Sequence, residues 1–298
     1  MSTQTQPRTA PDHLAPIRDY DDELPLRLMP GPGALGGGWR RFAHLTWTIA
    51  VTDFRLTYFG SALGYLWSLA RPLLLFAVLY TVFTEVAKFG DEIPNYPVLL
   101  LMNIMFYNFF ADATNTAVTS LVVRETLVRK MQFPRAVIPL AVVTTAALNL
   151  LSAMVVVVLF MLVYGVDPTW TWLLLPVGLA PLVLLAVGVA LLVSGLYVRF
   201  RDVQPIYAVI STALFYGSPV LYTIDNVDGP VKEILSYNPL TGILEQMRAW
   251  MVDPTAPGGI TALGGWTEAI PAVAIAIGIC ALGVWVFDRE ARGAAERL

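Results

Sequence analysis

Apolar residues fall into six long runs separated by short polar islands, and each run approaches the length of a bilayer crossing. Spanning hydrocarbon takes about 20 mainly apolar residues as helix, because every backbone amide must be bonded within its own segment. The runs extend approximately from Leu63 to Glu85, Val98 to Thr119, Ala136 to Tyr164, Trp172 to Tyr197, Pro205 to Tyr222 and Ala269 to Phe287. Pro139, Pro176, Pro181 and Pro219 lie inside or near their ends and predict kinks, which a bundle tolerates when neighbours satisfy the freed carbonyls.

Two further segments carry helical patterns without the length or apolarity of a span. In "WRRFAHLTWTIAVTDFRLTY", Arg41, His44, Thr48, Thr52 and Arg55 form one narrow polar stripe at the helical repeat, and apolar residues cover most of the rest. This predicts a helix lying in the membrane interface. His44 has no second ligand at helical spacing and reads as a solvated residue of that stripe. Between the last two runs, Thr223 to Thr267 contains "DGPVKEILSYNPLTGILEQMRAWM", where two short amphipathic helices fit on either side of Asn238-Pro239. Such a hairpin dips into a leaflet only where protein or a water-filled cavity shelters it. It reads either as a lid over an exit path or as an ordinary outer loop.

The pattern therefore predicts an all-α integral membrane protein: six transmembrane helices, an N-terminal amphipathic interfacial helix and a re-entrant extracellular hairpin before the last span. Its divisions are a disordered cytoplasmic tail over 1–38, rich in Pro, Gly and acids and without a signal-peptide pattern, the interfacial helix over 39–58, a six-span domain over 59–290 with its gate hairpin at about 224–267, and a cytoplasmic C-terminus over 291–298.

Composition agrees, since only 14% of the 298 residues are charged, against roughly 25% in soluble domains. Charge placement sets the orientation. With the N-terminus inside, the outer segments keep only Lys88, Lys232 and Arg248, and nearly all other Lys and Arg residues fall on inner segments, a bias that makes both termini cytoplasmic. Arg71 is the exception, about two turns inside the first span; it either snorkels to the headgroups or contacts a lipid phosphate. Cys280 is the only cysteine, so no disulfide forms within the chain, and it reads as a small packed hydrophobe.

Catalysis finds no seat. Lys88, Lys130 and Lys232 are the only lysines and none follows a glycine, so the phosphate cradle of ATP-binding loops is missing. There is no His/Cys cluster at zinc spacing and no Gly-x-Ser-x-Gly elbow. The spans instead carry polar rows. Asn108, Asp112, Asn115 and Thr119 share one face of the second, which reads as polar glue between helices or as a pathway lining. Tyr207, Ser211, Phe215, Ser218 and Tyr222 share one face of the fifth, where rings and hydroxyls together suit a sliding glycan or simple packing.

Four blocks, "FRLTYFGSALGYLWSLARPLLLFAVLYTVF" from Phe54, "LVRKMQFPRAVIPLA" from Leu127, "VRFRDVQPIYAVISTALFYGSPVLY" from Val198 and "NPLTGILEQMR" from Asn238, make the chain resemble the ABC-transporter permeases that export lipid-linked polysaccharides such as O-antigens, galactan and teichoic acids. The likeness covers most of the chain from Trp39 onward, and the family pattern often has Asn at the position of Glu125. It implies a half-transporter in the bacterial inner membrane, a homodimer bound to two cytosolic ATPase subunits that alone hold ATP and magnesium, so that this chain is no enzyme and needs no cofactor or metal. It implies an ATPase-coupling surface from Arg124, Glu125, Arg129, Lys130, Gln132 and Phe133, beside Arg41 and His44. Arg201-Asp202 is then an ion pair holding an inner corner. A polyprenyl-diphosphate head would meet Arg40, Arg41, Arg55 and Arg71, since the guanidinium fork suits phosphate. Tyr207, Ser211, Phe215, Tyr216 and Tyr222, with Phe106, Tyr107 and Phe110, would line the glycan channel, and Tyr237, Asn238, Pro239 and Arg248 would form the outer gate. A drug or small-lipid permease and a membrane glycosyl or phosphosugar transferase are the rival readings.

Overall fold

The computed structural model describes residues 38–58, 64–86, 93–130 and 133–292. The expected tail over 1–38 lies outside them except for Gly38, as do residues 293–298. Among the described residues every regular element is helical: α1 (Trp39–Tyr58), α2 (Gly64–Thr81), α3 (Tyr96–Val123), α4 (Glu125–Lys130), α5 (Val137–Val163), α6 (Leu175–Arg199), α7 (Val203–Tyr216), α8 (Pro230–Ser236), α9 (Pro239–Met251), α10 (Gly259–Ala262) and α11 (Trp266–Arg292).

Among the described residues, four helices are long and apolar enough to cross a bilayer: α3, α5, α6 with the 3-10 turn before it, and α11. The first expected run forms α2, which holds Arg71 and continues as a π-turn over Val82–Val86. The fifth forms α7, only 14 residues long. Pro219 explains the early stop, since it lacks a backbone N–H and disfavours helical backbone at Ser218. The non-helical stretch that follows is strapped to α3 by side chains. Asn103 Nδ2 donates to the Pro219 carbonyl at 3.0 Å and the Tyr96 hydroxyl to that of Leu221 at 2.9 Å, which is how irregular backbone survives inside a membrane bundle.

Helix α3 is the centre. Apolar on nearly every side, it is buried on nearly every side, with Leu100, Met102, Ile104, Phe106 and Phe110 almost fully enclosed by α2, α5, α6 and α7. In lipid, burial of apolar surface gives little drive between helices, so close packing and interhelical hydrogen bonds carry the assembly. The crossing of α6 and α11, the most extensive contact of the bundle, shows this: a Cβ on Gly283 would stand 2.2 Å from the Gly188 carbonyl oxygen, so the two backbones touch.

Helix α5 ends in a Schellman motif. Val166 N–H donates to the Met161 carbonyl at 3.0 Å and Gly165 N–H to that of Leu162 at 3.2 Å, with Gly165 at φ +77°. Helix α1 lies along α5 through Phe42, Thr46 and Ala50. Phe42 enters a cluster with Leu121, Val137, Ile138, Leu191 and Phe287, which ties α1 to α3, α5, α6 and α11 at the arginine-rich end of the bundle.

Candidate functional site

One exposed polar stripe interrupts the burial of α3. Asp112 and Thr116 are exposed while Ala113, Thr114, Ala117 and Val118 are buried. They face a cavity of 550 Å³ bounded by α1, α3 and α5 and lined by Asp53, Thr57, Asp112, Thr116, Arg124, Thr145 and Asn149. A smaller pocket of 80 Å³ shares Asp112, Ala146 and Asn149 and extends to Tyr58, Pro72 and Asn108, so α2 forms a further wall.

The cleft is held by cross-braces. Arg124, which breaks the helix between α3 and α4, forms an ion pair with Asp53 of α1. The Tyr58 hydroxyl donates to Asn149 Oδ1 at 2.8 Å, and the Thr145 hydroxyl lies 3.3 Å from the Ala50 carbonyl. Arg71 stands within electrostatic reach of Asp112. Carboxylates, an arginine, amides and hydroxyls around one open volume make a surface able to bind hydroxyl-rich or anionic groups.

The predicted stripe of α1 is exposed, with Arg41, His44, Thr48, Thr52 and Arg55 all on the surface, and Arg40 and Arg71 are exposed as well. In the predicted coupling island, Glu125 opens α4 and is half-buried; Arg129 and Lys130 end it, and their side chains, like Gln132, lie outside the described residues. Phe133 is half-buried against the cluster that holds Phe42, so its ring is engaged by its own chain.

The aromatic row of α7 faces inward. Tyr207 and Ser211 are buried, the Tyr107 hydroxyl donates to the Ser211 carbonyl, Asn115 Nδ2 donates to Ser211 Oγ at 3.0 Å, and the Phe215 ring packs edge-on to Tyr107 at 5.1 Å. Phe106, Tyr107 and Phe110 are enclosed with them. These residues bind α7 to α3, and Tyr216 is the exposed member of the group, Tyr222 being half-buried. Polar glue thus describes Asn115, whereas Asp112 faces the cleft.

The hairpin adopts the expected break. Asn238 caps α9 by accepting from Leu240 N–H at 3.0 Å, and its Nδ2 donates to the Gly217 carbonyl at 2.9 Å and lies 2.8 Å from Ser218 Oγ. One residue therefore joins α8, α9 and the end of α7. The exposed Tyr237 donates to Glu233 at 3.0 Å, and Pro239 starts α9. Buried Arg248 reaches Asp225 at 3.1 Å and Glu245 at 3.2 Å. The Ile224 N–H donates to Glu245 Oε1 at 2.8 Å. Burial pushes the Glu245 carboxyl above its ordinary range, against the pull of Ile224 and Arg248.

The expected Arg201–Asp202 ion pair does not form. Arg201 stacks over the Tyr197 ring at 5.0 Å, and the Asp202 carbonyl accepts from Ile206 N–H as the next helix begins. Arg199 instead pairs with Glu290 at 3.5 Å, joining α6 to α11 at that corner. Sequence reasoning also missed Asp53, Asn149 and Glu245. Their signal was present: a lone acid in a basic interfacial helix (Asp53), an amide in an apolar run (Asn149) and an acid three residues from an arginine on an amphipathic helix (Glu245) each require a partner.

A family model described as ABC-2 type transporter matches residues 44–252, from α1 through the end of α9, and so includes the cleft and most of the hairpin. The O-antigen export system permease protein RfbA of Klebsiella pneumoniae is 32% identical over 204 residues, 68% of this chain and 78% of that protein. Its namesake in Myxococcus xanthus is 26% identical over 219 residues, 73% of this chain and 84% of that protein. The polysialic acid transport protein KpsM of Escherichia coli is 23% identical over 198 residues, 64% and 75% of the two chains. With helices fit to cross a bilayer and a family match over well over half its length, this multi-pass membrane protein belongs to the ABC-2 type transporters, as a permease of the polysaccharide-export family.

Proposed function

We propose that the chain is the membrane half of an ATP-driven exporter that carries a polyprenyl-diphosphate-linked polysaccharide of O-antigen, galactan or teichoic-acid type across the bacterial inner membrane. The observation that carries this reading is the polar cleft walled by α1, α2, α3 and α5: an open 550 Å³ volume lined by Asp53, Asp112, Arg124 and Asn149 beside otherwise apolar helices. A lipid-linked glycan needs shelter for a charged, hydrated head while its tail stays in hydrocarbon, and a polar cleft beside lipid-facing helices meets that need.

In this reading α2 with its π-turn and α7 with its strapped continuation complete six crossings, and the hairpin of α8 and α9 is re-entrant. The arginine-rich end faces the cytoplasm. There α4 docks on a cytosolic ATPase subunit, which alone holds ATP and magnesium, and a second copy of the chain completes the channel. Exposed Arg40, Arg41, Arg55 and Arg71 receive the diphosphate, and Tyr216 and Tyr222 face the passing sugars.

The test is reconstitution of the chain with its ATPase in vesicles, supplied with labelled lipid-linked glycan. ATP-dependent transfer of the glycan, with hydrolysis lost when the ATPase subunit is omitted, is the expected result. Transport of drugs or simple lipids in preference to glycan, or bond chemistry by the permease alone, overturns the reading.

A further inference from the structure

A second cavity, of 560 Å³, opens at the opposite, hairpin end of the bundle between α6, α9, α10 and α11. Its origin lies in the helix crossing. The backbones of α6 and α11 touch at Gly188 and Gly283, and each helix carries a proline toward the hairpin end, Pro181 and Pro271. Prolines bend helices by removing a backbone bond. Beyond the crossing, the facing rows of α6 and α11 stand apart and α9 with α10 closes one side of the gap. Helix α9 is itself pinned to α6, where a Cβ on Gly178 would meet the Met247 methyl at 1.5 Å.

The walls offer little to water or to a sugar. The lining is almost wholly aliphatic and aromatic, and the carboxamide oxygen of its one long polar residue, Gln246, already accepts from Gly259 N–H at 3.0 Å. Apolar cavities of this kind stay dry, and a void of this size forfeits the dispersion contacts of its whole lining. The rim decides what fills it. Val177 and Leu184 on α6 and Val273 and Ile277 on α11 belong to the cavity and are all more than half exposed, so the gap runs on into the apolar outer face of two helices fit to cross a bilayer.

We infer that this cavity is a lipid site, occupied by an acyl chain of a membrane phospholipid from the leaflet at the hairpin end. The chain is a wedge between α11 and α9, and α9 is the helix that Asn238 joins to the end of α7. Phospholipid there supports the hairpin from its lipid side, opposite the polar network of Arg248.

The test uses the full-length protein in nanodiscs containing a phospholipid with a photoreactive diazirine in its acyl chain. Adducts at Leu263 and Leu185, which are 7% and 4% exposed and lie within the cavity, are expected. Adducts confined to outward residues such as Leu151 and Val155 overturn the inference. So does complete displacement of the phospholipid by an equimolar polyprenyl phosphate, or cross-linking of Leu263 to a second copy of the chain. In Ala276→Trp, and independently in Ile243→Trp, the indole fills the gap, and native mass spectrometry should show several-fold less retained phospholipid than wild type; unchanged retention in both, with correctly folded protein, also overturns it.

Discussion

The Arg124 guanidinium, at the junction of α3 and α4, is paired with the Asp53 carboxylate on α1, with only 21% and 28% of the two side chains exposed. The pair ties the turn leading into α4 to the interfacial helix and forms one lip of the polar cleft. If α4 receives the stroke of an ATPase, α1 moves with it. Asp53→Arg and Arg124→Asp should each cost about 2 kcal/mol, between the limits for exposed and buried pairs, and should lower export several-fold. The double exchange should recover most of both losses, measured as glycan export and as ATPase stimulation; failure to recover would reduce the pair to a surface contact.

Asp112 gives a prediction of the opposite kind. It is exposed in the cleft, with Arg71 as its electrostatic neighbour, so replacing it should cost no more than about 1 kcal/mol of thermal stability, the limit for an exposed charge pair. Asp112→Leu should nevertheless depress glycan transport more than Asp112→Asn, which keeps a polar group in the wall. Equal transport by the two variants would mean that the cleft does not contact the cargo.

Asn238 supports three segments at once. Asn238→Ala removes an N-cap worth about 1 kcal/mol and strands the Gly217 carbonyl, for a total loss of about 2–3 kcal/mol. Hydrogen exchange should rise first in α8, α9 and the Gly217–Tyr222 stretch. A uniform rise across α3 and α5 would show that the junction is not local.

What the sequence revealed and what it withheld divide along a physical line. The length of the apolar runs identified α3, α5, α6 and α11, because a membrane helix must satisfy its own backbone regardless of its neighbours. Helical periodicity identified the stripe of α1, and Pro239 the break at Asn238. Periodicity says that Tyr207, Ser211 and Phe215 share a face, but not what that face meets; the partner is α3, 96 residues away for the bond from Asn115 to Ser211. Likewise Arg201 is next to Asp202 in the chain but lies over the Tyr197 ring, and Arg199 finds Glu290 across 91 positions. Long-range pairings of this kind, Arg124 with Asp53 among them, depend on tertiary geometry that no local pattern encodes.

Glu245 makes hairpin stability depend on pH. Burial raises its folded carboxyl above the ordinary 4.5, so the folded state holds its proton more tightly than the unfolded chain does. The resulting stabilisation is complete below about 4.5 and is lost as pH rises through the folded value. Melting of the hairpin should therefore shift upward on acidification from pH ~7.5 to ~5. Glu245→Gln, which keeps an acceptor for Ile224, should flatten that dependence; an unchanged slope would show that Glu245 is not its source.

Two glycines of α11 separate packing from propensity. A Cβ on Gly283 would lie 2.2 Å from the Gly188 carbonyl oxygen, a backbone atom that cannot swing away, whereas one on Gly278 meets nothing within 4 Å. Gly283→Ala should force α11 off α6 and cost about 1–3 kcal/mol or more, the range for overpacked sites. Gly278→Ala, in an exposed helix interior, should gain up to about 1 kcal/mol from helix propensity. Both changes are the same chemical step, so opposite shifts in melting temperature can come only from what stands across the helix. Because the Arg199–Glu290 ion pair lies on the same pair of helices, Gly283→Ala should also weaken it. In that background Glu290→Gln should cost less than it does in the wild-type chain, and a full additive cost would show that α11 had stayed in place.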